Sequence, residues 1–164
     1  MSFEPATEAD VPTIMEIERL PGYENFIGTW SAEEHLARMR SPDARYIVWR
    51  EGGEVLGFVI FLKLADPNNL AEARRIALAQ TGTGLGGRFI PEMMDWLFEN
   101  TPVHRLELEC SVENPRALRV YRREGFVREG VKREVYLMPD GGYVSLAMFS
   151  VLRREWESLR GGRT

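Results

Sequence analysis

One cysteine, Cys110, and two histidines, His35 and His104, are all that this 164-residue chain offers of the residues that staple small secreted folds or hold zinc. A single thiol excludes an internal disulfide, and neither histidine has a Cys or His partner at ligand spacing, so no metal site is expected. Positive charge is not in excess either: 21 Lys and Arg face 25 Asp and Glu, for a net charge of −4. No nucleic-acid partner is therefore expected. No apolar run is long enough to cross a bilayer, and the first ten residues are acidic and polar, so no membrane partner is expected and the cytoplasm is the expected compartment. What is present is 44% hydrophobic residues, enough for a substantial core, in a length that suits one domain over residues 1–164.

The most informative stretch runs from residue 76 to 90. Ile76, Ala77 and Leu78 are strand-like, Gly82, Gly84, Gly86 and Gly87 follow, and Leu85, Phe89, Met93, Trp96 and Leu97 then recur with helical spacing. Glycines let the backbone turn sharply and approach a ligand, and a helix N-terminus offers unpaired N–H groups to an anion. A phosphate-binding strand, turn and helix is the natural reading. It is no Walker loop, because no Lys follows Gly87. Gly82, Gly84 and Gly87 do satisfy the spacing of a dinucleotide fingerprint, with Glu107 and Glu109 downstream in reach of a ribose, so a nicotinamide oxidoreductase stands as a rival.

The rest of the chain weighs against that rival. A short strand at 3–6 precedes a helix with Thr7 or Asp10 as its cap and Val11, Ile14, Met15 and Ile17 on its apolar side. An aromatic connection carrying Tyr23, Phe26 and Trp30 leads to a second helix opened by the Ser31/Glu34 capping box. Residues 45–50 and 55–64 make a hairpin around Glu51-Gly-Gly-Glu54. A strand at 73–78 enters the glycine turn, and the next helix, about 84–100, contains Pro91, which should kink it. A strand at 103–110 follows, then a helix at 115–124 capped by Asn114 with Pro115 behind it. A second hairpin, 127–138 with 143–152, comes last, and the charged remainder over 153–164 is expected to fray. Two antiparallel hairpins around a mid-chain glycine turn are foreign to a doubly wound dinucleotide fold.

These residues resemble the GNAT superfamily of acetyl-CoA-dependent N-acyltransferases. The family's pyrophosphate loop resembles residues 81–86, with Thr81 where Arg or Gln is usual, and its later signature resembles Asn114, Ala117, Tyr121 and Gly125-Phe126. Within the superfamily the chain is most similar to the ribosomal-protein N-terminal acetyltransferase branch, with Ser145 where that branch often has Asp. The resemblance covers nearly the whole chain. It implies an α/β (α+β) fold with a mixed, mostly antiparallel central sheet of about seven strands flanked by about four helices.

It also implies a chemistry. The cofactor, acetyl-CoA, would rest its pyrophosphate on the N–H groups of Thr83, Gly84, Leu85, Gly86 and Gly87, and its pantetheine arm along Ile76, Ala77 and Leu78 like an added strand. Asn114 and Ala117 would line the arm, and Arg88, Arg116 or Arg122 would reach the outer phosphate. Tyr121 is the candidate acid for the departing thiolate, since a phenol titrates near 10 and a thiol near 8.5. Glu109, at the spacing where ribosomal-protein acetyltransferases carry a glutamate base, is the candidate base, although Glu107 shares its face by strand alternation. Cys110 ends an apolar pattern and reads as a buried structural thiol. Tyr23, Phe26 and Trp30 are candidate substrate-binding residues. The expectation is an N-acetyltransferase that moves acetyl to a primary amine in a ternary complex, with a non-catalytic acyl-CoA-binding module as the alternative. The amine acceptor is the expected partner, and a homodimer is left open.

Overall fold

The computed structural model describes residues 1–163. Seven strands form one sheet: β1 (Ser2–Pro5), β2 (Arg45–Glu51), β3 (Glu54–Leu62), β4 (Leu70–Leu78), β5 (Arg105–Ser111), β6 (Val127–Leu137) and β7 (Tyr143–Leu152), in the order β1-β2-β3-β4-β5-β7-β6. Every neighbouring pair is antiparallel except β4 and β5. The helices are α1 (Val11–Glu18), α2 (Ala32–Met39), α3 (Gly86–Asn100), α4 (Pro115–Arg123) and α5 (Arg153–Gly161).

Both faces of the sheet are apolar, so each needs a helical cover. On one face Ile47, Trp49, Val59, Phe61, Leu106, Leu108 and Phe149 pack with Phe89, Met93, Leu97 and Phe98 of α3. On the other, Ile14 and Ile17 of α1 pack with Tyr46, Val48, Phe58, Ile60 and Ala77. The second cover does not extend over β6, which lies at the edge with Val127, Val131, Val135 and Leu137 exposed.

One local reading changes. The chain forms five α-helices rather than about four, because the terminal segment expected to fray is helical through Gly161. Its charged residues hid one anchor: Trp156 is 5% exposed, stacks on Phe98 with ring centroids 5.1 Å apart, and donates its indole N–H to Asp95 at 2.7 Å. The part of that expectation falling on Thr164 lies outside the described residues. Pro91 sits inside α3 without ending it, where the carbonyl its ring crowds is that of Gly87. Among the described residues no helix is long and apolar enough to cross a membrane.

Candidate active site

The site begins as a failure of strand pairing. β4 and β5 are paired only where Leu70, Ala71 and Glu72 meet Arg105, Leu106 and Glu107, although both strands continue. Beyond that point they diverge, and a cavity of about 760 Å³ opens between them, lined by β4, the glycine turn and α4. A second, of about 470 Å³, lies against the α1–α2 connection and the β6–β7 side.

The backbone edge of β4 faces this split. Ala79 donates to the Leu56 carbonyl on the β3 side at 2.9 Å, so the preceding Leu78 N–H and C=O point the other way, into the gap. There the Tyr23 hydroxyl accepts from the Leu78 N–H and donates to the Leu78 carbonyl, each at 2.9 Å. These are groups that an extended amide chain could take as partners.

At the mouth, Gly82 and Gly84 have φ of 78° and 79°, which side-chain-bearing residues rarely adopt. A Cβ on Gly84 would meet nothing within 4 Å, so open space lies over the turn. The N–H groups of Thr83, Gly84, Leu85 and Gly86 make no hydrogen bond among the described residues, and α3 starts there. This combination of free N–H groups and a helix dipole fits a pyrophosphate. Gly87 departs from its expected part: its N–H turns back to the Gly84 carbonyl at 3.1 Å. What it contributes is the lack of a side chain, since a Cβ there would come within 2.6 Å of the Arg123 guanidinium.

Arg88 stands apart from the cleft lining. It leans along α3 toward Glu92 at 3.7 Å and does not line the cleft. Arg116, Arg119 and Arg123 do, while Arg122 does not. Asn114 and Ala117 line the cleft, and the Asn114 side-chain Oδ1 caps α4 by accepting from the Ala117 N–H at 3.2 Å.

Tyr121 stands in the cleft wall, its ring 5.6 Å from Phe126 and 5.8 Å from Phe149. Burial, with smaller contributions from Cys110 and Tyr23, holds its hydroxyl above the ordinary phenol range. The hydroxyl is therefore protonated and, among the described residues, makes no hydrogen bond. Cys110 differs from expectation in being half-buried and lining both cavities. Burial pushes its thiol up to about 11, so it is no ready nucleophile at neutral pH.

The two strand glutamates are separated by position. Glu107 is held by Lys63 at 2.8 Å and Arg105 at 3.2 Å, below the split and outside both cavities. Lys63 is the foremost of the groups that, against the cost of burial, lower its acidity range. Glu109 lines both cavities. Its Oε1 accepts from Lys132, and its Oε2 makes no hydrogen bond among the described residues.

Tyr23 and Phe26 line the larger cavity, and Phe26 and Trp30 the smaller one, so all three expected aromatics border the cleft. Behind Trp30 lies a buried ionic cluster. Glu18 and His35 are fully buried, and Glu18 accepts from Arg75 at 2.9 Å, from Arg19 at 2.6 Å and from His35 at 3.2 Å. The other ring nitrogen of His35 meets the Tyr46 hydroxyl at 3.0 Å, which burial pushes up to about 12. The Arg75 and Arg38 guanidiniums sit 3.6 and 3.8 Å from the Trp30 ring centroid. At such separations both cannot occupy one face, so the indole is sandwiched.

Sequence reading missed this cluster. Its faint signals were Glu18, four residues after Ile14 on the same buried stripe of α1, and the paired Arg74 and Arg75 in an otherwise apolar strand.

A mixed sheet split at its parallel pair, with a glycine cradle at one end and a protonated phenol on the wall shared with a carboxylate, defines a transferase for a pyrophosphate-bearing donor. Residues 11–126 match the acetyltransferase (GNAT) family. The chain belongs to that family, and it transfers acetyl from acetyl-CoA to an amine. It is 29% identical over 135 residues to the N-alpha-acetyltransferase RimI of Mycobacterium tuberculosis, covering 79% of this chain and 80% of that protein. To the spermidine N(1)-acetyltransferase of Vibrio cholerae it is 26% identical over 117 residues, 71% of this chain and 67% of that protein. Among solved structures, the Vibrio cholerae spermidine N-acetyltransferase in complex with CoA and spermine superposes with a TM-score of 0.83 over 95% of this chain and 97% of that one, at 20% identity. That likeness establishes the fold. With the family fixed, the nicotinamide rival falls.

Proposed function

We propose that the chain acetylates a primary amine by direct attack in a ternary complex, with Tyr121 and Glu109 as its catalytic residues. The observation that carries this reading is the split between β4 and β5, which puts the Leu78 backbone, the glycine cradle, Tyr121 and Glu109 on one cleft. Acetyl-CoA, when bound, supplies the activated acyl group. The N–H groups of Thr83, Gly84, Leu85 and Gly86 would hold its pyrophosphate, Arg116, Arg119 and Arg123 would answer its further charge, and the edge of β4 around Ile76, Ala77 and Leu78 would pair with its arm.

The residues then divide the proton work. The acceptor amine arrives largely as an ammonium and must lose a proton before it can attack. The Oε2 of Glu109 receives that proton, directly or through water, while Lys132 fixes the other oxygen. The carbon–nitrogen bond forms as the carbon–sulfur bond breaks. The Tyr121 O–H hydrogen-bonds the sulfur as negative charge develops there and gives the departing thiolate its proton, and the second proton shed by the acylated nitrogen restores the hydroxyl. Cys110, with its raised thiol, stays out of the chemistry.

The reading extends to setting. The chain works in the cytoplasm, and a second copy would pair along β6, whose Val131, Val135 and Leu137 are uncovered.

The test is thiol release from acetyl-CoA across a panel of peptides and small amines, by the wild type and Tyr121→Phe. The expected result is release with at least one amine and a fall in kcat of about 100-fold or more in the variant, with acetyl-CoA affinity within about twofold. Release by Tyr121→Phe at the wild-type rate removes Tyr121 from the chemistry. Tight acetyl-CoA binding without release for any amine favours the non-catalytic module.

A further inference from the structure

The path of β4 contains one irregularity, and it concerns a single side chain. Ala73 pairs with Phe61 and Arg75 with Ile60, leaving Arg74 without a partner. Ala71 and Ala73 pack into the α3-side core, as do Ile76 and Leu78. The interval from Ala73 to Ile76 is three, so the extra residue shifts the alternation by one. Without the bulge Arg75 would enter the α3-side core. With it, Arg75 emerges on the α1 face, beside the acceptor cavity.

There it is held with unusual care for a cation. Its side chain is 7% exposed, Nη1 donates to the fully buried Glu18 at 2.9 Å, and the guanidinium carbon sits over the Trp30 ring. Yet Nη2 and Nε make no hydrogen bond among the described residues, while the residue lines both cavities. A Cβ added to Gly28 would come within 3.0 Å of Nη2, so the missing side chain of Gly28 is what leaves that arm open. A guanidinium carries only donors, so an arm that opens on a cavity is matched by a ligand oxygen. Glu24 and Glu109 line the same cavity and suit an ammonium, while Glu72 there is held by Lys63 and Arg74.

We propose that Arg75 is a specificity-determining residue whose free arm receives the carbonyl oxygen beside the amine being acetylated, so that the site selects a peptide N-terminus over an alkyl amine or polyamine. The inference rests on the acetyl-transfer reading above. A peptide N-terminus brings both halves of the pattern, an ammonium for the carboxylates and a carbonyl oxygen for Arg75. A polyamine brings donors alone and sets a further cation against the guanidinium. The ionisation of the acceptors acts in the same direction: α-amino groups titrate near 7.7 to 8.0 and alkyl ammoniums near 10.4, which makes the neutral nucleophile roughly a few hundred-fold more abundant on a peptide.

The experiment separates these two effects by comparing variants. Thiol release from acetyl-CoA is measured with an alanyl peptide amide, with ethylamine (the same acceptor without its carbonyl), and with spermidine. The enzymes are the wild type, Arg75→Lys, which keeps a cation for Glu18, and Gly28→Ala, which crowds Nη2 and leaves the pair intact. The expected result is a ratio of peptide to ethylamine kcat/KM that falls by about tenfold or more in both variants, carried by the peptide KM, with acetyl-CoA affinity within about twofold. If Arg75→Lys fails to fold, Gly28→Ala decides alone. An unchanged ratio in the folded variants, or a wild type that prefers spermidine to the peptide, overturns the role given to Arg75 and leaves acetyl transfer standing. No thiol release with any acceptor overturns acetyl transfer itself, and the role of Arg75 with it.

Discussion

The two ends of the cleft are made of different material. The end that would hold acetyl-CoA is almost all backbone: the unpaired edge of β4, glycines at positive φ, and the free N–H groups at the start of α3. The end proposed to take the acceptor is almost all side chain, with Trp30 pressed between Arg38 and Arg75, and Glu18 gathering Arg19, His35 and Arg75 beneath it. A backbone cradle depends on a few glycines and a strand that stops pairing, so it can be kept while the rest of a sequence drifts. A side-chain wall is particular to its own residues, and that is where selection among amines has to be decided.

The sharpest way to break the comparison is to remove the acid at the centre of the acceptor wall. Glu18→Ala leaves Arg75 buried and unpaired, a change that costs about 3–5 kcal/mol. That is a large part of the stability of an ordinary domain. Urea unfolding should show the loss in full, whereas Glu18→Gln, which keeps the side chain's bulk and one acceptor oxygen, should lose less. Equal stability of Glu18→Ala and wild type would mean the cluster does not hold the wall.

A smaller effect lies away from both halves, at the edge of the sheet. Glu129 is held at about 2, first by its hydrogen bond to Arg105 and then by Ser150, against an ordinary value of 4.5. A carboxyl whose folded-state value is depressed stabilises the fold above its unfolded value, and that contribution disappears as the pH falls through the folded one. Stability should therefore decline from pH 4.5 toward 2, and Glu129→Gln should flatten part of the decline in unfolding midpoints taken across that window. The effect is modest, because the group is a third exposed. An unaltered profile in the variant would remove Glu129 as its source.

The division also explains what could be read before the structure. The hairpins, the strand order around the glycine turn and the capping of α4 by Asn114 follow from local patterns, and the structure has them. The cofactor end was legible for the same reason: Gly82 and Gly84 declare a positive φ in the sequence itself. Of the three arginines the sequence offered for the outer phosphate, Arg116 lines the cleft together with Arg119 and Arg123, whereas helix periodicity turns Arg88 toward Glu92 and Arg122 lies outside the lining. The terminal helix was hidden because one tryptophan, Trp156, outweighs its charged neighbours. The choice between Glu107 and Glu109 could not be made from alternation, since both face one way. It took the splay of β4 from β5 to put only the latter in the cleft. Arg75 was hidden most deeply, because a bulge reverses the face that a regular strand would assign it.

The most direct test of this division is calorimetric binding of acetyl-CoA to Gly84→Ala. Gly84 contributes nothing but its backbone, at φ 79° with open space where a Cβ would stand. An alanine there strains the turn by about 1–2 kcal/mol and intrudes on the space the pyrophosphate would fill. Acetyl-CoA binding should weaken by about tenfold or more, with the acceptor KM at saturating acetyl-CoA near its wild-type value. Wild-type affinity in a folded Gly84→Ala protein would contradict this division.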